Sequence, residues 1–405
     1  MTPRSPARQP LKVAILGLGT VGGAVAEALM RRGSDLAHAT GGRPIHLAAV
    51  GVRDPERTRA VEIPRGIVRS ADLAAIASDP AVDVVVELLG GLEPAGDLIA
   101  DALRGGRSVV TANKALLARR GAELEAEARR TGAALRFEAA VGGGVPVLGP
   151  LGADLSANHW TSISGIVNGT TNYILTAMTD EGWDYGTVLS DAQARGYAEA
   201  DPSGDVEGRD AADKLAILVR LAFGDWPDVT AIRLTPPTVA GDGAPGITGV
   251  TAETISAAAE LELVIKLVAY ARRSNDGVVG AAVLPVAIPA EEPFARIGGV
   301  TNVIELVGDP IGRLRISGPG AGGGATSSAV LGDLIAIARG HGSTWAGLPM
   351  AGEMLHMGDP LADPFRWFIV GPDGGSVTEP LTLSDARKVL AAAGDRTALY
   401  PVLEG

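Results

Sequence analysis

Cysteine is absent from the 405 residues. That gap removes disulfides, thiolate metal sites and any thioester-forming nucleophile, and it fits a reducing cytoplasm. The five histidines are scattered through the chain, a poor basis for a histidine-built metal centre. No apolar run approaches the roughly 20 residues a membrane-spanning helix needs, so no membrane partner is expected. The opening "MTPRSPARQP" has no apolar segment behind its arginines; residues 1–10 read as a disordered tail rather than a secretory signal. Positive charge is also in short supply. A formal net charge of −12 speaks against a polyanion, and hence against nucleic acid, as a partner.

What is present points to a globular protein of two or more domains. Hydrophobic residues make up 46%, glycines number 55, and the length exceeds what one compact core holds. In "LKVAILGLGTVGGAVAEALMRRG", residues 11–16 read as a buried strand and 21–32 as a helix. Between them lies Gly17-Leu18-Gly19-Thr20-Val21-Gly22. Further strands are expected at "IHLAAVGV" (45–52), "VDVVVELL" (82–89), "SVVTA" (108–112) and "LRFEAAV" (135–141). Helices are expected at 71–78, 96–103 and 121–130. Strands alternating with helices predict an α/β, doubly wound parallel sheet over 11–150, of the Rossmann type.

In that context the three glycines acquire roles. Gly17 permits a tight turn, Gly19 lets a pyrophosphate approach the backbone, and Gly22 lets helix and sheet pack closely. The helix N-terminus offers free amides to phosphates. Arg53-Asp54 follows the second strand, where the ribose is read. Aspartate alone would favour NAD, whereas Arg53 with Arg57 and Arg59 favours the 2′-phosphate of NADP; the other reading is a solvated loop face. In "VVTANKALLA", Asn113 and Lys114 fall at the carboxyl edge of the sheet. There Lys114 can reach a substrate oxygen, or simply begin the next helix at the surface.

After residue 150 the pattern changes. Helices are expected at 171–178, 210–222 and 254–273, with a glycine- and proline-rich loop at 240–249. The runs "GVVGAAVLPVAIP", "TNVIELVG" and "GRLRISG" then read as a strand meander. This describes an α+β domain over 151–317 for substrate binding and dimerisation, and the meander with the 254–273 helix suggests a homodimer. "GPGAGGGATSSAVLGDLIAIAR" (318–339) is a glycine-rich loop entering a helix that completes the first domain over 318–342.

"GYAEADPSGDVEGRDAADKL" gathers Glu199, Asp201, Asp205, Glu207, Asp210 and Asp213 before Lys214. Asp210 and Lys214 are four apart and share a helical face. A surface ion pair would account for those two but not for the four carboxylates of the short loop before them, Glu199, Asp201, Asp205 and Glu207. A calcium loop needs acids at its positions 1, 3 and 5, a spacing 201, 205 and 207 do not have. Carboxylates beside a lysine suit a small zwitterion, with anions holding its ammonium and the lysine its carboxylate or reacting oxygen.

Taken together, "GLGTVG", "ELLGG", "TANKALLA", "EAAVGGGVP", "GIVNGTTNYIL", "GYAEADPSGDVEGRDAADKLAIL", "VIKLVAYA" and "GPGAGGGATSSAVLGDL" resemble the homoserine dehydrogenases from about residue 11 to 339. That family interconverts L-homoserine and L-aspartate 4-semialdehyde with NAD or NADP. The resemblance implies an acid–base role for Lys214, oriented by Asp210, with Lys114 touching substrate and cofactor. It implies substrate binding by Glu199, with Tyr197 and Asp205 near it, and by Gly169 and Thr170. Gly17 to Gly22, Arg53, Leu89, Asn113, Gly318 and Gly320 would contact the cofactor. Glu138, Val141, Gly143 and Val145 match the family's sodium or potassium site, built largely of backbone carbonyls.

The resemblance departs in residues 343–405, where no βαββαβ pattern of an ACT-type regulatory domain is legible. "RWFIVG", a helix at 383–393 and "TALYPVL" read as a remnant of one or as a different small cap. Three other readings compete with this one. A phosphorylating semialdehyde dehydrogenase needs a cysteine and is excluded. A related Rossmann oxidoreductase on another small hydroxy or amino acid is permitted by the lysines, but "NGTTNY" and the acidic loop favour homoserine. An inactive NADP-binding sensor would have no need of Lys114, Asp210 and Lys214 together.

Overall fold

The computed structural model describes residues 9–238, 241–371, 374–392 and 398–404; residues 1–8 of the expected tail lie outside them. The chain forms two compact units. One comprises Met1–Ala157 with Ala321–Ala351, the other Asn158–Gly320 with Gly352–Gly405.

The first unit contains strands β1 (Leu11–Leu16), β2 (Ile45–Gly51), β3 (Val68–Ser70), β4 (Val84–Glu87), β5 (Ser108–Thr111) and β6 (Leu135–Arg136). They lie in the order β3-β2-β1-β4-β5-β6, and every pairing is parallel. This is the doubly wound dinucleotide-binding order. Helices cover the faces, so β1 and β4 are apolar runs buried on both sides. Helix Lys114–Thr131 starts at Asn113, whose side chain caps the Leu116 amide, and ends at left-handed Gly132. Helix Gly323–Ala338 packs Val330 and Leu334 into the core that holds Val13, Ile15 and Val84.

The strand expected over 135–141 stops at Arg136. Glu138–Ala140 is a 3₁₀ turn instead. Glu138 donates its amide to Asp333 and accepts three amides on its carboxylate, so the chain is bent around that side chain rather than laid along β5.

The second unit contains β7 (His159–Ile166), β8 (Leu263–Arg273), β9 (Val279–Pro289), β10 (Thr301–Asp309), β11 (Gly312–Pro319) and β12 (Met357–Gly358). Their order is β11-β10-β7-β8-β9-β12. All pairings are antiparallel except that of β12 with β9. Helices Gly169–Glu181, Tyr185–Ala194 and Arg209–Phe223 belong to the same unit. A three-stranded sheet of β13 (Trp367–Gly371), β14 (Gly374–Val377) and β15 (Ala398–Pro401) runs β14-β13-β15. With helix Leu383–Ala392 it contributes Trp367, Leu390 and Leu399 to a core shared with Val268, Tyr270 and Val286.

The helix expected over 254–273 is wrong for most of its length. A helix occupies Ala252–Ala259, and the chain then turns at Glu262, whose φ is 56°, into β8. β8 pairs with β7 on one side and β9 on the other, and successive residues from Ile265 to Ala271 are buried, so both its faces are covered. Its apolar run therefore carries no alternation to distinguish it from a helix.

Candidate active site

In the second unit, the chain leaves β7 at Val167-Asn168 and enters helix Gly169–Glu181. Asn168 is the N-cap, its Oδ1 accepting the Thr171 amide at 2.9 Å. The other end of its carboxamide donates to Asp205 Oδ1 at 2.7 Å and to Asp210 Oδ2 at 2.8 Å. Asp210 lies in the first turn of helix Arg209–Phe223, where a carboxylate is favoured by the helix dipole. Lys214 follows one turn later. Its ammonium reaches Asp210 Oδ2 at 2.6 Å and the Val167 carbonyl at 2.7 Å. Both side chains are only 13% exposed, so the ion pair is shielded in a way a surface pair is not.

An ammonium has three N–H donors. The chain takes two, and the third has no acceptor among the described residues. The loop before the helix ends at Gly208, whose φ of 85° suits glycine. Part of that loop, Ser203–Val206, is helical, where the sequence suggested irregular backbone. The short helix places Asp205 against Asn168.

Asp205, Asp210 and Lys214 thus form one hydrogen-bonded group, joined by Asn168 and Val167. Gly169 and Thr170 open the adjoining helix, and Thr170 donates its hydroxyl to the Tyr197 carbonyl at 2.7 Å. The Tyr197 ring meets Tyr173 edge-on with centroids 4.9 Å apart, and Tyr173 donates to Asp191. Glu199 is exposed. Its backbone carbonyl accepts from Gln193 at 3.0 Å, while no bond to its carboxylate is found among the described residues.

Two participants were missed by sequence reasoning. Asn168 carried a signal, since asparagine just before a helix is a capping signature. Asn302, on β10, is fully buried and donates Nδ2 to the same Val167 carbonyl at 3.2 Å; nothing local in the sequence marks it. Its Oδ1 has no partner among the described residues, an arrangement that costs about 1–3 kcal/mol. Gly318 lies opposite Asn302 in the β10–β11 ladder, and a Cβ on Gly320 would collide with the Asn302 carboxamide.

In the first unit, β1 runs into the glycine turn. Gly17 has a φ of 100°, and a Cβ there would lie 2.7 Å from the Leu88 carbonyl. A Cβ on Gly22 would strike the Gly17 carbonyl, whereas one on Gly19 would meet nothing within 4 Å. Tight turn, close packing and open approach are thereby assigned to different glycines. Helix Thr20–Arg31 begins at Gly19 with no side-chain cap and no acid in its first turn, leaving its amides available to an anion. Leu18 and Val21 are partly buried around the turn, and Thr20 is exposed.

Arg53 is exposed just beyond β2. Asp54 accepts the amides of Glu56 at 3.0 Å and Arg57 at 3.2 Å, and Arg59 is tied to the carbonyls of Asp54 and Arg57. At the end of β4, buried Glu87 accepts the amides of Leu89 at 2.8 Å and Gly90 at 3.1 Å and the Thr111 hydroxyl at 2.6 Å. Asn113 donates Nδ2 to the Gly91 carbonyl at 2.7 Å. The loop after β4 is thereby fastened to the loop after β5, where half-buried Lys114 opens its helix.

Glu138 accepts the amides of Val147 at 2.7 Å, Leu148 at 2.9 Å and Gly149 at 2.6 Å. Its carboxylate therefore caps helix Leu148–Gly152. Gly142 and Gly143 have φ of 72° and 58° and turn the backbone between Val141 and Val145. Among the described residues no cluster of three or more histidine, aspartate or glutamate side chains could hold a metal.

Comparison with known proteins bears on both units. The family model for homoserine dehydrogenase matches residues 146–335, and that for the homoserine dehydrogenase NAD-binding domain matches 17–138. Over 333 residues the chain is 45% identical to a homoserine dehydrogenase of Synechocystis, covering 81% of this chain and 73% of that one. The crystal structure of a homoserine dehydrogenase from Thiobacillus denitrificans superposes with a TM-score of 0.87 at 31% identity, covering 98% of both chains. A hyperthermophilic archaeal homoserine dehydrogenase solved in complex with NADPH gives a TM-score of 0.65 at 26% identity, covering 81% of this chain and 97% of that one. The parallel dinucleotide-binding sheet, the acidic helix start and these matches agree: the chain belongs to the homoserine dehydrogenase family of oxidoreductases.

Proposed function

We propose that Lys214 is the acid–base residue of an NADP-preferring interconversion of L-homoserine and L-aspartate 4-semialdehyde. The observation that carries this is the held ammonium: Asp210 and the Val167 carbonyl fix it at 2.6 and 2.7 Å, and its third N–H is not taken among the described residues. When bound, the reduced cofactor would supply a hydride and the oxidised cofactor would accept one. As negative charge develops on the aldehyde oxygen, the Lys214 ammonium stabilises it and delivers a proton; in the reverse direction the amine receives the proton of the homoserine hydroxyl. Asp210 orients the ammonium. Asp205 and the exposed Glu199 carboxylate are assigned to the substrate amino group, with Tyr197, Gly169 and Thr170 lining its place. Lys114 is assigned to the substrate oxygens and the cofactor.

The glycine turn fits a pyrophosphate, since the chain leaves open space beside Gly19 and uncapped amides behind it. Leu18, Thr20, Val21, Leu89 and Asn113 surround that part of the unit, and Gly318 and Gly320 are assigned to the nicotinamide end. NADP is favoured over NAD because Asp54 is engaged by backbone amides while Arg53 and Arg57 are exposed. The domain assignment follows: 11–150 with 318–342 holds the dinucleotide, 151–317 the substrate, and 343–405 is a further segment. Backbone carbonyls at Glu138, Val141, Gly143 and Val145 are assigned to a monovalent cation; of the two carboxylates nearby, that of Glu138 is committed to amides and that of Asp333 to the Glu138 amide and Arg136. A homodimer through the second unit is supported by β11, an edge strand with exposed Ile311 beside it.

Replacing Lys214 with alanine should lower turnover at least about 10²-fold while leaving NADP affinity within about 2-fold. A spectrophotometric assay with L-homoserine, paired with cofactor titration, measures both. Unchanged turnover removes Lys214 from the role.

A further inference from the structure

Building on that reading of Lys214, we propose that Asn302 is a positioning residue, whose carboxamide N–H fixes the Val167 carbonyl and through it the ammonium. Four observations converge. The Val167 carbonyl accepts from Lys214 Nζ at 2.7 Å and from Asn302 Nδ2 at 3.2 Å. That carbonyl ends the strand leading into Asn168, so its direction is set at the junction where Asn168 binds Asp205 and Asp210. Asn302 is fully buried, yet its Oδ1 is left without a partner among the described residues. A side chain serving only to fill the site would be apolar, since a buried acceptor with no donor is a defect that proteins rarely keep without cause. Finally, Gly320 has no side chain in the one direction that would displace this carboxamide.

The orientation of the amide is not arbitrary. Val167 offers only an acceptor, so the NH₂ end must face it and the oxygen must face away. The effect on Lys214 is geometric. An ammonium with three donors can swing between acceptors, and a carbonyl held from its other side gives it one fixed place. The two carboxylates near it, Asp210 on its own helix and Asp205 on the preceding turn, are both held through Asn168 and cannot supply that second restraint.

The test uses the full-length protein in semialdehyde reduction with NADPH, comparing Asn302→Leu and Asn302→Asp with the parent and with Lys214→Ala. Leucine fills the space without a donor. It should lower kcat about 10-fold, the order expected for a misplaced proton donor, with both KM values within about 2-fold. An aspartate is the discriminating variant: its protonated carboxyl can donate to Val167 and its carboxylate cannot. Its kcat relative to the leucine variant should therefore climb as pH falls from about 8 to about 6, the range into which burial raises a carboxyl. A merely structural role predicts parallel pH profiles, with losses that follow melting temperature or KM; that result overturns the proposal. If the leucine variant does not fold, the aspartate variant against the parent decides on the same pH trend. The arms also separate the two readings. A Lys214→Ala enzyme that retains turnover removes the acid–base assignment itself, whereas its collapse beside undiminished Asn302 variants removes only the positioning role.

Discussion

Asn168 uses both ends of one carboxamide: Oδ1 caps a helix and Nδ2 reaches two carboxylates. Its Nδ2 offers each carboxylate a hydrogen bond, which eases the approach of Asp205 and Asp210 to each other. At the other end of the proposed chemistry, Arg53 is the side chain on which the proposed preference for NADP rests. Asp54 is engaged by the Glu56 and Arg57 amides, while Arg53 is exposed beside it. Arg53→Ala should weaken NADP about 10-fold or more while NAD changes by less than about 2-fold, as expected when a charge-assisted contact to phosphate is lost. Fluorescence titration with the two cofactors checks this, and equal losses for both would refute it. Of these side chains, Asp210 and Lys214 are legible in the sequence because four-residue spacing alone puts them together. Asn302 is not, since it reaches Val167 from 135 residues away. Only the strand order of the second sheet brings the two side by side.

At the scale of elements, one buried lysine joins three of them. Lys266 on β8 donates to Asn172 Oδ1 at 3.1 Å and Thr176 Oγ1 at 3.1 Å on helix Gly169–Glu181, and to the Ile297 carbonyl at 2.8 Å. Asn172 in turn donates to the Thr301 carbonyl at 3.3 Å, so the helix that presents Gly169 and Thr170 is fixed to the segment entering β10. Burial pushes the Lys266 ammonium down to about 8. The folded state therefore releases this proton at a lower pH than the unfolded chain, whose lysine ordinarily holds it to about 10.5. The full penalty, about 3 kcal/mol at about 1.4 kcal/mol per pH unit, is felt below pH 8 and is relieved as pH rises toward 10.5. Relative to Lys266→Met, the parent should gain about 2 kcal/mol of stability between pH 7.5 and 9.5. Urea unfolding at the two pH values measures it, and a constant difference would show that the lysine does not titrate in the folded state. The same strand explains the largest misreading. "LVIKLVAYARR" is rich in β-branched and aromatic residues, but an apolar run buried on both faces has no period. The helix-forming "AETISAAA" directly before it hides the boundary that Glu262 makes by turning.

At the scale of the whole molecule, segments far apart in sequence share a unit. The first unit includes Ala321–Ala351 from far along the chain, and the second takes back Gly352–Gly405. The glycine-rich stretch 318–324 precedes the first return in the sequence, whereas no comparable stretch precedes the second, which is decided by which apolar faces remain to be covered. The C-terminal residues illustrate it. Trp367, Ala386, Leu390 and Leu399 lie in one buried cluster with Val268, Tyr270, Leu284 and Val286 of the main sheet. They are part of the core under the unit that carries Lys214, not an appendage fastened to it. Truncating Leu390, which is fully buried, to alanine should cost about 2–5 kcal/mol by leaving a cavity. The loss should appear as a lower temperature for irreversible loss of dehydrogenase activity, because unfolding this core unfolds β7, which leads into Val167, and the helix that carries Asp210 and Lys214. A detachable C-terminal module predicts something else: its own early melting transition, with activity surviving to the parent's temperature. Following activity and circular dichroism through the same thermal ramp distinguishes the two, and an early structural transition without loss of activity would overturn the single-core account.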